Sequence, residues 1–165
     1  MALIKLNNQS FGSGAIDNTN LPSGSVLQVV TNTISTLYGG TAGGEVYTNV
    51  SGSITPSFSS SKILVLFDGQ ISQTGTKNNF ATRWRIRRGT STSDTSLTHQ
   101  RNGHYHGGSI TAEKHASLGF NYLDSPSSTS QVTYGLFVSN IDGAPNWTIN
   151  DNGSTSIFTL IEIQG

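Results

Sequence analysis

The apolar residues of this chain come in short alternating runs, and Gly, Pro, Asn and Ser fill the gaps between them. That rhythm limits the possible folds more than any other feature. One side chain in two on a common face is the period of a β-strand, and the three-and-four spacing of a helix is nearly absent. The first strong run covers Val26 to Leu37 and closes at Gly39-Gly40 and Gly43-Gly44, and a shorter one from Val50 to Thr55 stops at Pro56. Lys62 to Phe67 is almost continuously apolar, the pattern of a strand covered on both faces. Phe80 to Arg87 alternates, with Phe80, Thr82, Trp84 and Ile86 on one face and Ala81, Arg83, Arg85 and Arg87 on the other. His115 to Leu123, Val132 to Val138 and Ser156 to Ile163 are further strands, and Asn152-Gly153 between apolar runs predicts a hairpin turn.

Short strands at this spacing, with turns and no helices between them, predict an all-β chain folded as a single jelly-roll-like β-sandwich. No sequence unit repeats, which sets aside a propeller or β-helix. The first residues differ in kind: a short apolar tag (Leu3, Ile4, Leu6) leads into a polar Gly/Ser stretch from Asn7 to Gly14 that contains Phe11. The chain therefore divides into a short extended N-terminal arm and linker, residues 1–20, and a β-sandwich domain, residues 21–165.

Composition narrows the function. Charged residues make up 11% of the chain, against about 25% in an ordinary domain. The net charge is +0, so no overall field draws in nucleic acid or an anionic membrane, and neither is expected as a partner. No run approaches the roughly 20 apolar residues that span a bilayer, and the stretch from Met1 to Leu6 lacks the apolar core of a signal peptide. Without Cys there are no disulfides and no thiolate metal sites.

Catalytic patterns are missing too. There is no phosphate-binding loop, nucleophile elbow, zinc-protease motif or dinucleotide fingerprint. The nine acidic residues, Asp17, Glu45, Asp68, Asp94, Glu113, Asp124, Asp142, Asp151 and Glu162, are scattered, with no pair nominated for glycoside hydrolysis. The expectation is a protein that is not an enzyme and carries no cofactor. One metal alternative stands beside it. His104 and His106 lie two apart, so on a strand both point to one side, and three symmetry-related copies would offer six imidazoles to an axial transition metal. The competing reading is a Gly-flanked surface loop. Arg83, Arg85 and Arg87, with adjacent Arg88, form the only charge cluster, suited to a solvated face, to carboxylates or carbonyls of a neighbouring subunit, or to an anionic glycan or other ligand. The last strand is apolar on both faces, with Ile157, Ile161 and Ile163 on one and Phe158 and Leu160 on the other. Phe158 and Leu160 are thus expected at a subunit contact, with cover from within the chain as the alternative.

Four short motifs, in order, resemble a tail-fibre-like or decoration-type β-sandwich of virion proteins from marine and cyanobacterial tailed bacteriophages. They are Leu21-Pro22-Ser23-Gly24-Ser25-Val26-Leu27-Gln28-Val29-Val30; Ser53-Ile54-Thr55-Pro56, a Ser-rich spacer and Ser61-Lys62-Ile63-Leu64-Val65; Tyr122-Leu123-Asp124-Ser125-Pro126; and Val132-Thr133-Tyr134. A final strand with Glu162-Ile163 and a terminal Gly165 also fits. The resemblance covers residues 21–165 and carries no active site. It implies a virion structural protein assembled in the host bacterial cytoplasm, forming a homotrimer. Leu3, Ile4, Leu6 and Phe11 would dock on other virion proteins, while Asn102, Tyr105 and Trp147 in outward loops would meet a host surface glycan. A capsid decoration protein that stabilises the head is the alternative, and a cellular lectin-like module a further one. No long shaft or collagen-like stretch is present, which favours a compact, arm-anchored oligomer.

Overall fold

The computed structural model describes residues 18, 21–41, 43–75, 79–105, 112–143 and 145–165, with the backbone alone at 79, 80, 104, 105 and 112. The arm residues Leu3, Ile4, Leu6 and Phe11 and the histidine His106 lie outside the described residues. Among the described residues ten strands follow one another: β1 (Val26–Ile34), β2 (Tyr38–Thr41), β3 (Val46–Ile54), β4 (Lys62–Gly75), β5 (Asn79–Arg88), β6 (Thr95–Tyr105), β7 (Ala112–Asp124), β8 (Val132–Asp142), β9 (Asn146–Ile149) and β10 (Ser156–Ile163). A single 3₁₀ turn at Asp151–Gly153 separates the last two.

These strands form two antiparallel sheets packed as a β-sandwich, so the all-β expectation holds. The spine of sheet A is β4. Along one edge it pairs with β7 over its whole length; on the other, β10 and β9 lie end to end against residues 62–68 and 71–74. β1 and β2 extend the sheet beyond β10 and β9 respectively. Sheet B runs β3-β8-β5-β6. Alternation places Ile63, Val65, Phe67 and Ile71 of β4 and Phe158 and Leu160 of β10 against Val50, Ile54, Trp84, Ile86, Tyr134, Leu136 and Val138 of sheet B. The sheets approach closely at Gly52, where a Cβ would stand 2.7 Å from that of Phe158. Trp84 and Trp147 meet edge to face, with ring centroids 5.7 Å apart.

The expected hairpin at Asn152-Gly153 is not formed. β9 and β10 both pair with β4 and run in one line, so the segment between them is an excursion from a single strand path. Asn150 and Asn152 take left-handed backbone angles, φ 61° and 53°, which Asn tolerates better than most residues. The Asn150 side chain holds the excursion in place: Nδ2 donates to the Thr36 carbonyl at 2.9 Å, and Oδ1 accepts from Ser156 Oγ at 2.6 Å. The local chemistry of a turn was legible; its topology depends on β4, which offers both apolar runs the same edge.

Two buried polar clusters close the sandwich. At one end the Glu162 carboxylate, fully buried, accepts from Gln28 Nε2 (2.6 Å), the Ser57 N–H (2.6 Å), Ser61 Oγ (2.7 Å) and Ser57 Oγ (3.1 Å). Burial pushes this carboxyl up, but the hydrogen bonds from Ser61, Gln28 and Ser57 outweigh it and hold the group below the ordinary glutamate range. Elsewhere Asp124 accepts from both Arg88 Nε, at 2.8 Å, and Arg88 Nη2, and from the Tyr134 hydroxyl at 2.8 Å. Its hydrogen bond keeps Arg88 firmly cationic. Burial, followed by the charge and hydrogen bond of Asp124, drives the Tyr134 hydroxyl far above the ordinary tyrosine value. The sides of the sandwich are laced as well. Gln28 and Asn32 on β1 donate to the carbonyls of Thr55, just after β3, and Ser51, within it, and Lys114 on β7 donates to the Gly103 carbonyl on β6. Side chains that occupy edge carbonyls hinder strand addition by another chain.

Candidate interaction surface

The outward side chains of sheet A form cross-strand rows. One row, Val29-Ile161-Leu64-Leu123, runs through β1, β10, β4 and β7, and every member is apolar. Val29 is 57% and Leu123 49% exposed, with Ile161 and Leu64 half-buried between them. Ile163, and Ile157 at 37% exposure, continue the patch along β10. Beside the row the face dips into a depression of about 580 Å³ lined by Leu66, Gly119, Asn121, Ile157 and Thr159. Opposite Asp68 stands Gly119, whose missing side chain opens this floor. The physical origin lies in two strands, β4 and β10, that carry apolar residues on both faces: the inward set builds the core, and the outward set meets solvent. These residues make up the candidate interaction surface.

The outer face of sheet B is built differently. Phe137 points outward from β8 yet is 0% exposed. Tyr47 packs beside it at a ring separation of 5.4 Å, and the Arg87 guanidinium lies over its ring, 5.6 Å from the centroid. Glu45 pairs with both Arg85 and Arg87, and Arg87 also donates to the Asp94 carbonyl. Two of the three arginines expected at a subunit contact are therefore committed within the chain, as the lid of an aromatic cluster. Arg83, next along the row, is exposed. Glu45, distant in sequence and flanked by Gly44, gave no signal of this pairing.

Other expected site residues fall elsewhere. Phe158 and Leu160 are 0% and 1% exposed in the chain's own core, so the subunit-contact assignment is corrected: sheet B covers them, and the outward residues of that strand are Ile157, Ile161 and Ile163. Trp147 is 5% exposed and packed against Trp84. It sits at an inward position of β9, which removes it from a receptor-facing loop. Asn102 is a half-buried strand residue of β6, paired across to Thr82, and likewise leaves the loop assignment. The backbone of Tyr105 and His104 ends β6, and their side chains are outside the described set. Asn102 and Trp147 are thus strand residues of β6 and β9 and do not form an outward loop. The structure brings together instead Val29, Ile161, Leu64 and Leu123, residues that the doubly apolar runs of β4 and β10 point to once their pairing is known. Among the described residues no helix is long and apolar enough to cross a membrane.

No protein-family model matches the chain, and no curated protein matches it. Among solved structures it is similar to a chain from infectious bursal disease virus, Gx strain, at 14% identity and TM-score 0.45, over 83% of this chain and 36% of that one. It is also similar to the Eiger TNF of S. frugiperda, at 11% identity and TM-score 0.38, over 62% and 59%. A Bacillus endospore appendage protein, from a family of disulfide-linked pili, matches at 10% identity and TM-score 0.34, over 91% and 100%. The chain spans about a third of the bursal virus chain and under two thirds of the Eiger chain. At these values the likenesses carry no argument about function.

Proposed function

We propose that this chain is a non-enzymatic structural subunit of a tailed-phage virion, one that self-assembles, as a homotrimer, through the outer face of sheet A. The observation that carries the assembly role is the Val29-Ile161-Leu64-Leu123 row, apolar across four strands and open to solvent. A second copy of the chain is the occupant we favour. The net charge of +0 leaves no long-range repulsion between copies, and the side chains on Thr55, Ser51 and Gly103 occupy carbonyls at the two edges of sheet B. The virion setting is supported by the motifs at residues 21–30, 53–65, 122–126 and 132–134. The strand orders β1-β10-β4-β7 and β3-β8-β5-β6 support reading the sandwich as a jelly roll. With Trp147 in the core, host-glycan binding loses one of its two proposed stacking groups, and the fibre and decoration roles differ mainly in copy number per particle. Sedimentation equilibrium of the purified chain across the micromolar range is the test. A species of three copies supports the proposal, and a monomer at every concentration rules it out.

A further inference from the structure

We propose that Glu113, His115 and Asp151 form a binding site for a borderline divalent transition cation, of which Zn²⁺ is the probe. Glu113 and His115 lie two apart on β7 and so share the outer face of sheet A, in register with Thr74 and Ser72 of β4. Asp151 reaches them from the far side of β4, carried by the excursion between β9 and β10. One ligand atom from each of the three lies within 4.8 Å of the other two, and His115 Nε2 stands 3.6 Å from Glu113 Oε1. Ligand atoms on a tetrahedral zinc, at about 2.0–2.1 Å from the metal, are about 3.4 Å apart. One pair is therefore close to the required spacing, and the side chains of His115 and Glu113 are 41% and 52% exposed.

The supports are in place before any ion arrives. Ser72 Oγ donates to Glu113 Oε1 at 3.0 Å, and the Asn152 N–H donates to Asp151 Oδ1 at 2.8 Å, orienting both carboxylates. An imidazole with two carboxylates suits Zn²⁺ and its neighbours, whereas Ca²⁺ takes six to eight oxygens, more than this set supplies. Three protein donors leave a fourth position for water. Bound there, the ion would tie the β9–β10 excursion to β7 across β4. This inference stands on its own geometry, apart from the assembly role.

Calorimetric titration of the full chain with Zn²⁺ tests it. The expected result is one saturable site per chain. His115→Ala and Asp151→Asn should each weaken binding at least about tenfold, and the double variant His104→Ala/His106→Ala should bind like wild type. Zn²⁺ should raise the melting temperature of wild type and leave that of Asp151→Asn unmoved, while the metal-free melts of the two agree. Absence of a saturable site, equal affinity in His115→Ala, or loss of binding only in the His104→Ala/His106→Ala variant would overturn the assignment.

Discussion

The two outer faces of the sandwich both carry large apolar side chains, and they treat them in opposite ways. On sheet B, Phe137 is sealed beneath Tyr47, Arg87 and the Arg85–Glu45 pair. On sheet A, Val29, Leu123 and Ile157 meet solvent. A charged row beside an aromatic cluster completes one face inside the chain. On the other face the charged residues of β4, Lys62 and Asp68, leave the row open, with Val29 57% and Leu123 49% exposed. Sheet B completes its outer face within the chain; under the assembly proposed here, sheet A completes its face against another copy.

The largest expected effect that would break this contrast is Phe137→Ala. It should destabilise the fold by about 3 kcal/mol, as for a core aromatic, whereas Leu123→Ala should stay within about 0.5 kcal/mol; urea unfolding at a concentration where the chain is monomeric checks both. Next is Glu162→Gln, which puts an amide donor among Gln28, Ser57 and Ser61 and should cost about 2 kcal/mol. The same residue sets an acid limit. Its folded value lies below the ordinary 4.5, so its contribution is complete above that value and disappears as pH falls through the folded one. Thermal melts of wild type should hold steady down to about pH 5 and decline below about pH 4, with that component of the decline missing in Glu162→Gln. Smaller again, Glu45→Gln should cost about 1 kcal/mol by removing the carboxylate that pairs with Arg85 and Arg87. Near-UV circular dichroism should register the loosened Tyr47–Phe137 packing.

The strands were largely legible, and β10 begins and ends where the alternation placed it, at Ser156 and Ile163. β6 was not. Thr95–Tyr105 is an edge strand whose one large aliphatic residue is Leu97, so its pairing to β5 left no apolar rhythm to read. Trp147 looked like a loop residue because Asn and Pro precede it, but its place is fixed by Trp84 across the core. The short motifs turn out to be parts of buried polar clusters. Gln28, Ser57 with Ser61, and Glu162 come together from three stretches of sequence around the Glu162 carboxylate, and Asp124 and Tyr134 join Arg88 in another cluster. They are signatures of how the sandwich is closed. The candidate interaction surface, by contrast, depends on register across four strands, which alternation within each strand does not disclose.

The central claim, that sheet A docks and sheet B does not, is tested most directly by sedimentation velocity of two charge variants at matched concentrations. Leu123→Lys places an ammonium in the exposed row, and Arg83→Glu alters the exposed end of the opposite face. Both should melt within a few degrees of wild type. The account predicts that Leu123→Lys sediments as a monomer while Arg83→Glu keeps the wild-type oligomer. An oligomer that survives Leu123→Lys and dissociates in Arg83→Glu would contradict it.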